Sequence, residues 1–189
     1  MRLNSDYLFA EDDLGSFIRE ERDRLIQKVD GYQSQYVLSL EIEAVCEELY
    51  KKYQHEVPKL KIDEIYIKES GESGKGTFVT FAVPFDGDPD LFRFRPSTFT
   101  VNPPCGSVVG NEIHLTYSRF DHNHEAMKAD LNNDLRNIEQ FAGWVAKDVA
   151  PYNTGIKQIA LQRIESRRQK LQKDQKMIEA LGFPKKSDK

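Results

Sequence analysis

The fold is decided by residues 131–149, which are LNNDLRNIEQFAGWVAKDV. Apolar residues recur there at alternating steps of four and three, namely Leu131, Leu135, Ile138, Ala142, Val145 and Val149. After an interruption the pattern continues through Ile156, Ala160, Ile164, Arg167, Leu171, Asp174, Ile178 and Leu181. Such a repeat, close to 3.5 residues, is typical of a helix that packs an apolar seam on a neighbour.

The interruption lies at 151–155 and contains Pro151 and Gly155. Two matched seams around a short breaker predict a long antiparallel helical hairpin over 121–181, with arms of about 40 Å. One kinked helix is the alternative. Asp121 is the expected cap of the first helix, and 182–189 is a tail or linker. The seam residues expected to oligomerise or to dock a partner are Leu131, Leu135, Ile138, Val145, Ile164 and Leu171.

The first 120 residues predict one α+β domain. Helices are expected over 12–55, with Asp12 or Asp13 as the cap, Gly31 as a stop and a second helix over about 34–53. Residues 59–118 alternate apolar and polar side chains, which predicts an antiparallel sheet. The fold class is therefore α+β, with N-terminal helices, an antiparallel sheet and the C-terminal hairpin.

Local signals within 59–118 place the bends and turns of this sheet. The alternation slips phase at Asp63 and Glu64, which predicts a bulge or bend. The glycines of 70–76 predict a loop, and Gly110-Asn111 predicts a two-residue hairpin turn. A short strand is expected over 91–95, with Arg93 and Arg95 on one face.

Composition bounds the class of protein. The chain has 189 residues, 39% of them hydrophobic, and a formal net charge of -4, so it can bury a core and is not a disordered chain. Two cysteines exclude a disulfide framework and a four-cysteine zinc site. No apolar run is long enough to span a membrane. We expect a cytoplasmic protein without membrane contact.

Charge is concentrated at the C-terminal end, where residues 161–189 carry nine basic and four acidic side chains. Arg163, Arg167 and Lys170 lie along one helix flank and could contact phosphates in a salt-sensitive way. A flank that pairs with the acidic residues of 125–148 explains the same pattern. Arg93 and Arg95, with Arg119 or Lys75, are a second candidate nucleic-acid contact. Protection of an exposed strand edge is the favoured explanation of this pair.

No catalytic, cofactor or metal site is predicted. Residues 71–77 have neither the spacing nor the following helix of a phosphate-binding loop. The carboxylates Asp86, Asp88 and Asp90 suit turn hydrogen bonds better than a metal. Histidines near 122–124 suit an exposed helix start. Glu112-Ile113-His114 is the nearest match to a nuclease motif and lacks its lysine.

Five segments carry a resemblance to known proteins: 83–88 (VPFDGD), 95–99 (RPSTF), 102–104 (NPP), 110–112 (GNE) and 181–184 (LGFP). The region 75–184 resembles the amino-terminal region of poorly characterised bacterial proteins. In longer members, a restriction-endonuclease-like domain or another antiviral effector follows. The resemblance implies a role in antiviral defence, either as an excised domain or as a subunit beside a separate effector, and it transfers no catalytic residue.

The predicted function is a non-catalytic sensing or assembly module of such an effector system, which oligomerises or docks through its helical hairpin. A homo-oligomer or an effector protein is the expected partner. The first alternative is a nucleic-acid-binding subunit that uses Arg163, Arg167, Lys170, Arg93 and Arg95. The second alternative is a metal-dependent nuclease with an unrecognised site. No cofactor is expected.

Overall fold

The computed structural model describes residues 6–73, 76–119 and 123–183. The chain divides into two compact units. The sheet unit contains Met1–Arg19 and His55–Pro151, and the helical unit contains Glu20–Gln54 and Tyr152–Lys189. The domain boundaries predicted at 120 and 181 stay a prediction. The predicted cap Asp121 and residues 184–189 of the predicted tail lie outside the described residues.

The secondary structure is α+β, as the sequence predicts. In chain order the elements are β1 (Asp12–Asp13), α1 (Leu14–Asp30), α2 (Ser34–Ser39), α3 (Ile42–Tyr53), β2 (Lys59–Leu60), β3 (Tyr66–Ser73), β4 (Gly76–Asp86), β5 (Phe94–Arg95), β6 (Ser107–Val109), β7 (Glu112–Arg119) and α4 (His124–Ala180). Two 3₁₀ turns occupy Ile62–Glu64 and Pro89–Phe92. Among the described residues, no helix is both long and apolar enough to cross a membrane.

The main sheet of the sheet unit is built around β4. Strand β7 runs antiparallel along one side of β4. Strand β6 pairs with the far side of β7, and the predicted turn at Gly110 connects the two. On the other side, β3 and β2 pair with successive parts of β4. The 3₁₀ turn Ile62–Glu64 separates these two strands, which confirms the bend predicted at Asp63 and Glu64. A separate parallel pair joins β1 to β5.

The two faces of this sheet differ in polarity. The inner face presents apolar side chains such as Val83, Phe85 and Ile113, which share one buried cluster with Leu135 and Ile138 of α4. The outer face carries Thr80, Thr116 and His114, which alternate with the inner residues along β4 and β7. Because helix α4 covers only the inner face in this unit, the outer face is where polar side chains gather.

Strand β3 extends further than predicted, because it runs to Ser73 through part of the 70–76 segment expected to be a loop. Gly71 pairs with Phe78 across the strands, and a Cβ atom on Gly71 would lie 2.8 Å from the ring of Phe78. The glycine therefore makes room for a ring rather than for a bend. Residues 74 and 75 lie outside the described residues.

Helix α1 begins and ends where the sequence predicts. The Asp13 carboxylate accepts hydrogen bonds from the Ser16 amide at 2.8 Å and from the Ser16 hydroxyl at 2.9 Å, so Asp13 caps the helix. At the other end, the Gly31 amide donates to the Gln27 carbonyl at 2.9 Å.

The single helix predicted over 34–53 is wrong, since α2 ends at Ser39 and α3 begins at Ile42. Leu40, between them, has an extended backbone with ψ of 149°. Val37, before this break, and Leu40, within it, are both buried. The break leaves carbonyl groups at the end of α2 without helical partners, and Arg168 of α4 donates to two of them.

The predicted helical hairpin is also wrong, because α4 is one continuous helix of 57 residues with Pro151 inside it. The two halves of the seam, before and after Pro151, do not pack on each other as the hairpin required, and each is buried in its own unit. In the sheet unit, Leu131, Ile138 and Val145 are buried in the sheet cluster. In the helical unit, Ile156 and Ile164 are buried. Burial along both halves offsets the cost of about 3 kcal/mol that an internal proline imposes.

Candidate functional site

The most exposed apolar surface of α4 lies at its C-terminal end, which we call the distal stretch (residues 165–183). Ile164, just before it, is fully buried. Leu171 and Ile178 continue the seam but are only half-buried. Met177 is 61% exposed and Leu181 is 62% exposed. The seam therefore runs beyond the part of α4 that its own unit buries.

The structure divides the six predicted seam residues between burial and exposure. Five of them are buried within their own units: Leu131, Leu135, Ile138 and Val145 in the sheet unit, and Ile164 in the helical unit. Leu171 is half-buried at the start of the distal stretch. Those five residues belong to the buried core, and the exposed part of the seam begins at Leu171.

The predicted basic flank begins with Arg163, which forms a two-pronged ion pair with Asp30 at the end of α1. Both nitrogen–oxygen distances are 2.6 Å. The hydrogen bond from Arg163 lowers the pKa of Asp30 below its ordinary value. A planar guanidinium matched to a carboxylate is the strongest geometry for such a pair.

Arg167 and Arg168 donate to backbone carbonyls at the C-terminal ends of α1 and α2. Arg167 donates to the carbonyls of Val29 and Tyr32. Arg168 donates to Val37 at 2.9 Å and to Leu40 at 2.6 Å. These arginines therefore cap two helix ends from α4. Spacing along the sequence does not reveal this role, because the partners are more than 120 residues away in the chain.

The lysines of the same flank differ from the arginines. Lys170, Lys173 and Lys176 are all exposed and follow one another at three-residue steps along the distal stretch. Such steps place them on one side of the apolar stripe. The distal stretch thus combines an apolar face with a positively charged flank.

The second predicted pair of arginines lies at the surface of the sheet unit, with Arg93 directly before β5 and Arg95 within it. Arg93 donates to Glu11 at 2.8 Å, and the Arg95 guanidinium lies 5.1 Å from the centre of the Phe99 ring. Arg119, expected beside them, instead binds Asp130 of α4 at 2.6 Å. The fourth member of that prediction, Lys75, lies outside the described residues.

In the acidic turn 86–90, Asp88 accepts the turn hydrogen bond that the sequence predicts, and Asp86 and Asp88 also pair with residues from elsewhere in the chain. Asp88 accepts a hydrogen bond from the Asp90 amide at 3.0 Å and contacts His55 at 2.9 Å. The bond with His55 lowers the pKa of Asp88. Asp86 pairs with Lys61 at 2.8 Å. His55 is the partner that the sequence did not reveal.

A polar cluster on the outer face of the sheet surrounds Glu112. The Tyr66 hydroxyl donates to Glu112 at 2.6 Å, Lys68 donates at 3.0 Å, and His114 lies 3.0 Å away. These hydrogen bonds, from Tyr66 first, lower the pKa of Glu112 to about 2. The side chains reach across β4 because the residue between Tyr66 and His114 is the small Ala82.

Lys68 also lies 3.1 Å from the ring nitrogen of His114. The structure thus brings a lysine to Glu112-Ile113-His114 from a strand 44 residues earlier in the chain. The ammonium group neutralises Glu112 and ties β3 to β7. In the described part of the chain, no three histidine, cysteine or acidic side chains are grouped to hold a metal ion. The alternative of a metal-dependent nuclease with an unrecognised site stays a prediction.

Both cysteines lie away from these groups. Burial raises the pKa of the Cys46 thiol, which lowers its thiolate fraction. Cys105 is half-buried. At the helix start, His124 is exposed and contacts Glu125 at 3.1 Å, in line with the surface position expected of it, and His122 lies outside the described residues.

Comparisons with known proteins identify no relative, since no family model, no curated protein and no solved structure matches the chain.

Proposed function

We propose that this protein is a non-catalytic assembly module whose distal stretch docks an acidic amphipathic helix of a partner effector. The single observation behind the proposal is that the apolar seam is buried as far as Ile164 and then continues through the half-buried Leu171 and Ile178 to the exposed Leu181. Exposed apolar side chains that continue a buried stripe favour an interaction surface over a purely structural role.

The spacing of the distal stretch suits a helical partner. Leu171, Asp174, Ile178 and Leu181 follow one another at steps of three, four and three. This is the spacing with which two helices interdigitate. Asp174 is a polar residue within the seam, and one polar seam residue favours a single register of the two helices at some cost in stability.

The charge of the flank favours an acidic partner. Lys170, Lys173 and Lys176 line one side of the apolar stripe and are exposed. A second copy of the chain would bring the same positive flank to the interface, where like charges repel. Glutamates on a partner helix would pair with the lysines and would speed association at low salt. The proposed occupant is therefore a different, acidic helix.

The resemblance of 75–184 to proteins that carry an effector domain supports an effector as the owner of that helix, in an antiviral system of the cytoplasm. Nucleic-acid binding by Arg163, Arg167 and Lys170 remains the alternative. It would require Arg163 and Arg167 to leave Asp30 and the carbonyls of α1, or to contact phosphate with their remaining nitrogen atoms.

The test uses the full chain and two synthetic helical peptides with leucine at the seam positions. One peptide carries glutamate on both flanks, and the control peptide carries lysine there. We expect the glutamate peptide to bind in fluorescence anisotropy, with an affinity that falls as salt rises. The double variant Met177→Asp with Leu181→Asp should weaken peptide binding at least about tenfold, because the peptide would bury the new carboxylates without a partner of opposite charge.

The control is Val101→Asp, which alters a still more exposed apolar residue of the sheet unit and should leave binding unchanged. Equal binding of both peptides would contradict the acidic partner. Light scattering at twice the 21.9 kDa of the chain, abolished by Met177→Asp, would make a second copy the occupant instead and overturn the proposal.

A further inference from the structure

An open groove in the helical unit combines aromatic rings with positive charge. Its volume is about 560 Å³. It lies at the ends of α1 and α3 and beside α2, and its charged and aromatic lining consists of Lys28, Tyr32, Tyr36, Glu48, Lys51 and Lys52. These residues play no part in the docking proposal above, so the groove needs an explanation of its own.

Two tyrosines form the aromatic part of the groove. The ring centres of Tyr32 and Tyr36 are 5.2 Å apart, and the rings meet edge to face at 76°. Tyr36 is 44% exposed. Burial raises the pKa of Tyr32, so this phenol stays neutral and can donate a hydrogen bond at neutral pH. An exposed ring braced by a second ring can stack on a planar ligand.

The cations of the groove lie beside these rings. The Lys28 ammonium is 5.5 Å from the centre of the Tyr32 ring, and Lys51 and Lys52 are exposed in the last turn of α3. Lysines in the last turn of a helix also interact favourably with the negative end of the helix dipole. That effect explains why the lysines are at helix ends, but not why two helix ends converge on a pair of tyrosines.

We infer that this groove binds a nucleotide unit, with the base stacked on Tyr36 and the phosphate held by Lys28, Lys51 and Lys52. Three lysines against the single carboxylate of Glu48 leave the lining positive, which suits a phosphate. Stacking on an aromatic ring beside a cationic groove is how proteins bind single strands without reading their sequence. The unit can belong to a single strand or to a free mononucleotide.

The experiment titrates the full chain with fluorescent oligothymidylate at low salt and then adds ATP as a competitor. Tyr36→Ala should weaken binding about tenfold, while Tyr36→Phe should retain it, because stacking needs only the ring. Lys51→Gln with Lys52→Gln should reduce the slope of log affinity against log salt by about 1.4, the value for two lost phosphate contacts with a single strand.

The control is Lys128→Gln with Lys147→Gln, which makes the same charge change at two exposed lysines of α4 and should alter neither affinity nor slope. If ATP displaces the oligothymidylate at a concentration equal to that of the oligothymidylate, the groove is a mononucleotide site. If the oligothymidylate stays bound, the groove is a single-strand site. Failure of both ligands to bind at low salt would overturn the inference. Equal loss in the control variant, or unchanged binding by Tyr36→Ala, would also overturn it.

Discussion

Two stretches of α4 share one sequence pattern and differ in their surroundings. Residues 156–164 and the distal stretch both place apolar side chains at helical spacing. Ile156 and Ile164 are fully buried, whereas Met177 and Leu181 are mostly exposed. Periodicity thus specifies the helix and its apolar face, but not the surface that covers this face. The two stretches should therefore differ in how much they contribute to the free energy of unfolding.

The largest effect should come from a charge placed in the buried part of the seam. Val145 is fully buried among the sheet residues, so Val145→Asp should destabilise the chain by more than about 4 kcal/mol and abolish cooperative unfolding. Met177→Asp, on the exposed part, should change the free energy of unfolding by less than about 0.5 kcal/mol. Urea denaturation followed by circular dichroism measures both, and equal losses would remove the contrast.

A smaller difference should separate two apolar truncations in the same seam. Ile164→Ala should cost about 2–4 kcal/mol, since it leaves a cavity in the helical unit. Leu171→Ala should cost about 1 kcal/mol, because Leu171 is only half-buried. The same denaturation experiment compares them. A larger loss for Leu171→Ala would mean that the chain itself buries the distal stretch in solution.

Among the basic residues, Arg168 should matter more for stability than Lys170. Arg168→Ala leaves the carbonyls of Val37 and Leu40 without their donor, which should cost about 1–3 kcal/mol. Arg168→Lys should restore little, because an ammonium group cannot form the fork that reaches both carbonyls. Lys170→Ala, the exposed control, should stay within about 0.5 kcal/mol. A neutral Arg168→Ala would show that water replaces the guanidinium at this helix end.

The smallest effect should be a dependence of stability on pH that arises from Arg163 and Asp30. The pKa of Asp30 is lowered below its ordinary value of 3.8, chiefly by the hydrogen bond from Arg163. The pair therefore stabilises the folded chain above pH 3.8, and this contribution is lost as the pH falls through the lowered pKa. Arg163→Gln should melt below the unchanged chain at neutral pH and match it in strong acid. A gap in melting temperature that persists in acid would exclude the ion pair as its cause.

The sequence predicted the local features of this fold better than its long-range pairings. Asp13 and Gly31 bound α1 as expected, because capping depends on residues within a few positions. The predicted hairpin is wrong because Pro151 was interpreted as the turn between two helices, whereas it lies inside one helix. The energetic cost of a proline inside the helix is offset by burial of the seam in both units. A single sequence does not reveal which residues bury each half of the seam.

The candidate surfaces show the same limit. The lysine beside Glu112 comes from residue 68 on another strand, and the donors to Val37 and Leu40 come from residue 168. Both pairings depend on which elements are neighbours, so spacing along the chain could not reveal them. The exposed lysines Lys170, Lys173 and Lys176 needed only the helical repeat, and the sequence placed them on a basic flank.

Hydrogen exchange of the full chain, with and without the glutamate peptide, tests the docking surface most directly. Amides of 156–164 should exchange slowly in both samples, because their side chains are buried. Amides of the distal stretch should exchange faster in the chain alone and slow by at least about tenfold when the peptide is bound. Equal protection of both stretches before the peptide is added, or no slowing of the distal stretch at saturating peptide, would contradict the account.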